Sequence, residues 1–115
     1  MNVNTLIINT LKPLVQEVVP GHYNGTATSY IAFNYEDDRG EIFADDAPQN
    51  DKAYLQIHLF CPGKFNYIAL KKQIRTKLFA AGFSYPSITE FYEKDTDKNH
   101  IVFQCDIEGD SETEE

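Results

Sequence analysis

The sequence predicts an α+β domain in which two helices pack on one face of a mostly antiparallel sheet of four to five strands. Three observations support this prediction. Two segments repeat apolar residues at three- and four-residue spacing, which is typical of helices with one buried stripe. Other segments alternate apolar or aromatic residues with polar ones, as strands do. The resulting order, α-β-β-β-α-β-β, places hairpins on both sides of a helical crossover.

The first helix is predicted over residues 3–19, where apolar side chains recur with helical spacing. Asn2 or Asn4 is a suitable N-cap, because a short polar side chain can accept a hydrogen bond from a free backbone N–H at the helix start. Pro13 lacks an N–H and crowds the preceding turn, so a kink or break is expected there. Pro20 ends the helix.

A hairpin is predicted next, with a strand at residues 30–35, a polar turn at residues 36–40 and a returning strand at residues 41–44. Residues 53–61 have the strongest strand pattern of the sequence, with apolar side chains on both alternating faces. A strand that is apolar on both faces is expected in the middle of its sheet.

The second helix is predicted over residues 65–81, and Gly82 is expected to end it in the left-handed conformation. Two further strands are predicted at residues 88–94 and 100–107, joined by a polar turn. Each helix has a single apolar stripe. We therefore expect both helices to cover the same face of the sheet, with the other face left for solvent or a partner.

Length and composition predict one domain with a short tail. The 115 residues, of which 42% are hydrophobic and 24% charged, suffice for one hydrophobic core, assigned to residues 1–108. Residues 109–115 contain no apolar side chain and are predicted to be a disordered acidic tail. Two cysteines are too few for a disulfide scaffold, and no apolar run reaches the roughly 20 residues of a membrane span. A soluble protein of a reducing compartment, without a membrane partner, is expected.

Charge is distributed unevenly along the sequence. The net charge is −8, yet residues 52–89 contain six basic side chains and no acidic one. An acidic chain is a poor ligand for phosphate backbones, so nucleic acid is not an expected partner. Two surfaces of opposite sign suit contacts with further copies of the chain or with another charged protein. A solvated helix face beside an acidic tail would give the same composition. The candidate interface residues are Lys71, Lys72, Arg75 and Lys77 on the second helix, and Asp37, Asp38, Asp45 and Asp46 on the hairpin and the following loop.

The sequence contains no pattern that indicates catalysis, a cofactor or a metal site. His58 and Cys61 are expected to point to opposite faces of their strand. The run Asp95-x-Asp97-x-Asn99 begins like a calcium loop, but it lacks the later Gly and Glu of an EF-hand, and turns favour the same residue types. Paired acids on the hairpin could hold Mg²⁺, although their acidic surroundings would repel phosphates. We therefore expect no enzyme, no cofactor and no metal.

A succession of short motifs runs through residues 28–108. The motifs are Tyr30-Ile31-x-Phe33-x-Tyr35, Phe43-Ala44-Asp45-Asp46, Gln56-Ile57-His58-Leu59-Phe60, Lys71-Lys72-x-Ile74-Arg75-x-x-Leu78, Ala81-Gly82-Phe83, Tyr92-Glu93-x-Asp95-Thr96 and His100-Ile101. Together they resemble the small tail-completion proteins of long-tailed phages and prophages of Gram-positive bacteria. That family includes tail terminators and tail-to-head joining proteins.

The resemblance implies a structural virion protein without enzymatic activity. Such proteins form a ring, commonly six-fold, on the head-proximal end of the tail tube, where they stop tube polymerisation and offer a docking surface to the head. The implied partners are further copies of the chain, the tail tube protein and a head-completion or connector protein. The implied location is the virion tail, reached from the host cytoplasm during assembly. No contact residue is carried over from the family.

Two other functions stay open on the sequence. An acidic adaptor or inhibitor that binds a basic partner would also have this charge distribution. A metal-dependent hydrolase could use the paired acids, and it is the weaker alternative because the segment around them is acidic.

Overall fold

The computed structural model describes residues 2–37, 43–44, 47–48 and 51–109. Within them the chain forms α1 (Val3–Leu11), β1 (Glu17–Pro20), β2 (Tyr30–Asp37), β3 (Phe43–Ala44), β4 (Ala47–Pro48), β5 (Asp51–Pro62), α2 (Ile68–Ala80), β6 (Ser87–Glu93) and β7 (Lys98–Gly109). Five of these strands form one mixed sheet of order β1-β2-β5-β7-β6, in which the β1–β2 pair is parallel and the other pairs are antiparallel. The predicted α+β class is confirmed, and the two helices with the five strands of this sheet follow the predicted order α-β-β-β-α-β-β.

Both helices lie on one face of the sheet, as predicted. Ile7 of α1 and Ile74 of α2 are fully buried together with Ile57 of the central strand β5. Complete burial of one such aliphatic side chain stabilises the fold by about 1.5–3 kcal/mol. The same layer contains alternate residues of three strands: Ile31 and Phe33 of β2, Leu55, Leu59 and Cys61 of β5, and Ile101, Phe103, Cys105 and Ile107 of β7.

The first helix is shorter than predicted. It begins after Asn2, whose side chain accepts a hydrogen bond from the Thr5 N–H at 3.1 Å, but it ends at Leu11 instead of residue 19. Pro13 explains this end, because its ring clashes with the carbonyl one turn earlier. The β-branched residues that follow form β1, in which Val18 is buried opposite Ile31 of β2.

The predicted hairpin partner of β2 is wrong. β2 pairs with β5, whereas Phe43–Ala44 pairs with Ala47–Pro48 in a separate two-stranded ladder. The twelve-residue β5 offers β2 a full set of ladder hydrogen bonds and an apolar face, which the short returning strand lacks. β5 lies between β2 and β7, so its predicted central position is confirmed.

The C-terminal half follows the sequence pattern closely. α2 ends before Gly82, whose φ of +113° is the left-handed conformation expected of it. The strands predicted at residues 88–94 and 100–107 are observed as β6 and the longer β7. The predicted tail at residues 109–115 begins at the last residue of β7, and residues 110–115 lie outside the described part of the chain.

Candidate functional site

The four cations of α2 do not form one free surface. Lys71 binds Glu90 of β6 through its Nζ at 2.5 Å and lies 5.9 Å from the centre of the Tyr67 ring. Arg75 donates from Nε to the Pro86 carbonyl at 3.1 Å, and its guanidinium lies 4.2 Å from the centre of the Tyr85 ring. Lys71 therefore ties α2 to β6, and Arg75 ties it to the segment before β6. Because both side chains have these partners, they are less available for contacts with another protein.

Lys72 and Lys77, the other two cations of α2, are available for contacts with another protein. Both are exposed, and no ion pair joins either of them to another residue that the structure describes. They line a groove of about 400 Å³ beside α2, with Leu14, Ala69, Gln73 and Thr76. We call this the lysine groove. An apolar floor with two unpaired ammonium groups suits an acidic segment that also carries some apolar surface.

The acidic half of the predicted interface is only partly described. Asp37 is the last residue of β2 and pairs with Tyr54 of β5, just after an irregularity in the register. Asp38, Asp45 and Asp46 lie outside the described residues. The hairpin that was predicted to carry these acids is not formed by β2, which pairs with β5 and not with Phe43–Ala44.

The helix-free side of the sheet is rich in aromatic rings. Tyr23 stacks on Tyr30 with centroids 4.2 Å apart, Tyr30 on Phe60 at 5.0 Å, and Phe60 on His100 at 4.2 Å. His58 lies beside the last two rings. We call this surface the open face. It contains a depression of about 310 Å³ lined by Gly21, His22, Tyr23, Tyr30, Ala32, Asn34, His58, Phe60 and His100.

A chain of hydrogen bonds crosses the open face from β6 to β2. His100 Nδ1 lies 2.9 Å from Glu93 Oε2, and its Nε2 lies 2.8 Å from His58 Nδ1. His58 Nε2 lies 2.9 Å from Asn34 Oδ1, and the Asn34 amide donates to Gln56 Oε1 at 3.4 Å. Four strands are thereby linked on their solvent side.

Burial and charge shift the titration of two groups on the open face. The pKa of His58 lies below its ordinary value, first because the ring is partly buried and second because His100 is close. The pKa of Tyr30 is raised, mainly by burial and in addition by the nearby Glu93 carboxylate. Both shifts favour the neutral forms of these rings.

Sequence reasoning missed this histidine pair. Alternation along β5 places His58 and Cys61 on opposite faces, and this prediction is confirmed, since Cys61 is buried in the core. The neighbour of His58 is His100, which lies 42 positions away in the sequence and two residues along β7 from Val102, the register partner of His58. The alternation of apolar residues does place both histidines at outward positions of their strands, and this was the evidence for the pair in the sequence.

The groups considered for catalysis or metal binding are engaged in structural contacts. Cys61 and Cys105 are free thiols in the core, and burial raises the pKa of Cys105 to about 12. In the calcium-like run, Asp97 accepts the Tyr92 hydroxyl, and the buried Asn99 donates to the Pro62 carbonyl at 3.0 Å. These contacts stabilise the turn between β6 and β7, which is a usual role of Asp and Asn side chains. Among the described residues, no three His, Cys, Asp or Glu side chains are grouped so that they could hold a metal ion.

Neither helix of the described chain is long and apolar enough to cross a membrane. No protein-family model matches the sequence, and no curated protein matches it either.

Proposed function

We propose that this protein is a structural subunit that caps the head-proximal end of a phage tail tube as a ring, ends tube polymerisation and joins the tail to the head. The observation that supports this best is the presence of two chemically different surfaces on opposite sides of one sheet. The lysine groove lies beside the helices, and the aromatic open face lies on the other side. A subunit that contacts both its ring neighbours and a further protein needs chemically distinct surfaces on every copy.

The charge balance suggests how such a ring holds together. A subunit of net charge −8 repels its neighbours unless a local attraction overcomes the repulsion. Lys72 and Lys77 supply positive charge that is not paired within the described part of the chain, and the sequence supplies acids at Asp37, Asp38, Asp45 and Asp46. We propose that the lysine groove of one copy receives the acidic loop of the next.

The open face is the second proposed contact. Aromatic side chains are enriched in protein interfaces, because they bury much area with little loss of conformational freedom. On this proposal the face meets the tail tube protein or a head-completion or connector protein. The protein then works in the virion tail, after assembly in the host cytoplasm, without catalysis or a cofactor.

The proposal is tested in the phage or prophage that carries the gene. Deletion of the gene should give tails of abnormal length or tubes without heads in electron micrographs, and the wild-type gene should restore normal particles. Normal, infectious particles after deletion would contradict the proposal. A one-to-one complex with a basic protein, without any ring, would instead favour the acidic adaptor.

A matched pair of charge reversals tests the lysine groove in the same assay. The double variant Lys72→Glu/Lys77→Glu should fold normally and fail to complement the deletion. The control Lys64→Glu/Lys94→Glu changes the net charge equally at exposed positions outside the groove and should complement. Equal behaviour of the two variants would remove the groove from the proposed interface.

A further inference from the structure

We propose that His58 and His100 hold a single proton in common between their facing ring nitrogens, and that uptake of a second proton separates the rings and weakens contacts made by the open face. The proton site is independent of the proposed function. Its effect on assembly rests on that function, because it requires the open face to be a contact surface.

The outer partners of the two rings fix which nitrogens carry hydrogen. Glu93 Oε2 lies 2.9 Å from His100 Nδ1, and an ionised carboxylate only accepts, so Nδ1 must donate. Asn34 uses its amide nitrogen to donate to Gln56 Oε1, which leaves its oxygen facing His58 Nε2 at 2.9 Å. In this orientation of the amide, its oxygen accepts and His58 Nε2 donates.

The inner nitrogens then lack hydrogen in the neutral rings. His58 Nδ1 and His100 Nε2 lie 2.8 Å apart, and two lone pairs would repel each other at this distance. One proton between them turns the repulsion into an N–H···N hydrogen bond. The pair then carries one positive charge, which Glu93 balances. A second proton would place two N–H groups and two positive charges face to face, and the bond would break.

The surroundings disfavour the second proton. Partial burial and the proximity of His100 lower the pKa of His58, so the second proton, which goes to His58, is taken up only in more acidic solution than an isolated ring requires. Glu93 is the carboxylate in direct contact with the pair. Further titratable groups among the described residues on this side of the sheet are Glu17 of β1, Tyr30 and Glu36 of β2, Lys52 and Tyr54 of β5, Lys98, Asp106 and Glu108 of β7, and His22 and Tyr23 of the loop that borders the depression.

Separation of the rings would change the shape of the open face. His100 stacks on Phe60 with centroids 4.2 Å apart and lies 5.8 Å from Phe91, while His58 is 5.0 Å from His100. His58 and His100 also line the depression. A break between them therefore moves the rings that a partner would pack against, and it adds a charge to that surface.

The proton site is tested on the full-length protein by ¹⁵N NMR of the histidine rings between pH 8 and 4.5. We expect direct nitrogen–nitrogen coupling between His58 Nδ1 and His100 Nε2 near neutral pH. The coupling should disappear as His58 titrates, at a lower pH than the same ring shows in the urea-unfolded chain. Absence of the coupling, or a His58 midpoint at or above the unfolded value, would overturn the proposal.

Three variants keep the test specific. His100→Phe retains a stacking ring and should raise the His58 midpoint, because the neighbouring positive charge is gone. Asn34→Asp places a carboxylate at the exposed side of His58 Nε2 and should also raise it. His22→Phe changes the third histidine, outside the hydrogen-bond chain, and should leave it unchanged. A shift with His22→Phe equal to that with His100→Phe would count against the pair.

Assembly is measured separately by sedimentation of capped tubes at the same pH values, because the open face is proposed to contact the tube and not the neighbouring subunit. Dissociation that follows the His58 midpoint, and moves with it in Asn34→Asp, supports the effect on contacts. If the NMR behaviour is as expected but assembly does not depend on this midpoint, the proton site stands and its effect on contacts is overturned. If no ring or capped tube forms at any pH, the proposed function fails while the NMR result is unaffected.

Discussion

The Lys71 ammonium and the Glu90 carboxylate join α2 to the edge strand β6 across the helix-covered side of the sheet. Glu90 also accepts the Tyr67 hydroxyl at 2.9 Å, so one carboxylate binds two residues at the start of the helix. The hydrogen bond from Lys71 lowers the pKa of Glu90. Glu90 raises the pKa of Tyr67, because its carboxylate accepts a hydrogen bond from the neutral phenol.

Replacement of this carboxylate should have a small effect on stability. Glu90→Gln is expected to lower the free energy of unfolding by about 1 kcal/mol or less, because the pair is partly exposed to solvent, with side-chain exposures of 26% and 39%. Urea unfolding measures the loss, and Glu108→Gln, at an exposed position of β7, is the control. A loss several times larger than this would mean that the link carries more of the fold than a solvent-exposed ion pair does.

Gly82 should resist substitution by alanine for a backbone reason. Its φ of +113° is unfavourable for any residue with a Cβ, whereas the nearest atom to such a Cβ would be Ile107 Cδ1 at an uncrowded 3.7 Å. We expect Gly82→Ala to cost about 1–3 kcal/mol in urea unfolding, within the range for strained backbone. Gly82→Asn should cost less, since asparagine tolerates positive φ better. Equal losses for both variants would argue against backbone strain as the cause.

Stability should fall as the solution becomes acidic below about pH 6.5, the ordinary pKa of histidine. The lowered pKa of His58 means that the unfolded chain binds more protons than the folded one between the folded and unfolded values. The contribution of His58 is therefore complete above this window and is lost as the pH falls through it. Unfolding midpoints at pH 6.5 and 5.0 measure the loss, because the folded pair already holds its shared proton at both values.

His58→Phe provides the comparison for this pH dependence. The variant removes the titrating ring, so its stability should differ less between the two pH values than that of the wild-type protein. Glu90, whose pKa is lowered, contributes a similar acid loss only near and below its ordinary value of 4.5. A wild-type protein equally stable at pH 6.5 and 5.0 would contradict the prediction.

Both cysteines should be unreactive in the folded protein. Burial raises the pKa of each thiol, that of Cys105 to about 12, so the reactive thiolate is scarce and shielded near pH 8. A thiol reagent such as DTNB should label neither residue at a rate comparable with the unfolded protein in guanidinium. Rapid labelling of one thiol under native conditions would show that this side of the core opens readily.

Periodicity predicted the elements where neighbouring residues decide the structure. The stripe that includes Ile74 and Leu78 identified α2, and the alternation through Ile101 and Phe103 identified β7. Periodicity did not predict the end of α1 at Leu11. The helical spacing of apolar residues continues past Pro13, although a proline at this position prevents the backbone from continuing as a helix. Periodicity also failed for the partner of β2, since pairing depends on long-range competition between strands.

The candidate site was predictable only in part. Counting charges found all four cations of α2, but it could not separate Lys72 and Lys77 from Lys71, which Glu90 engages 19 positions away in the sequence. The histidine pair requires the register between β5 and β7, which no local pattern contains. Contacts between segments that are distant in the sequence could not be predicted from it.

The parallel pairing of β1 with β2 has a consequence for the open face. A chain that leaves Pro20 must travel back along the sheet before it enters β2 at Tyr30 in the same direction. The returning residues Gly21, His22 and Tyr23 form one wall of the depression, and Tyr23 rests on Tyr30. A shorter loop between β1 and β2 would therefore prevent β1 from pairing with β2. It would also remove one wall of the depression, so the length of this loop determines both the number of strands in the sheet and the shape of the open face.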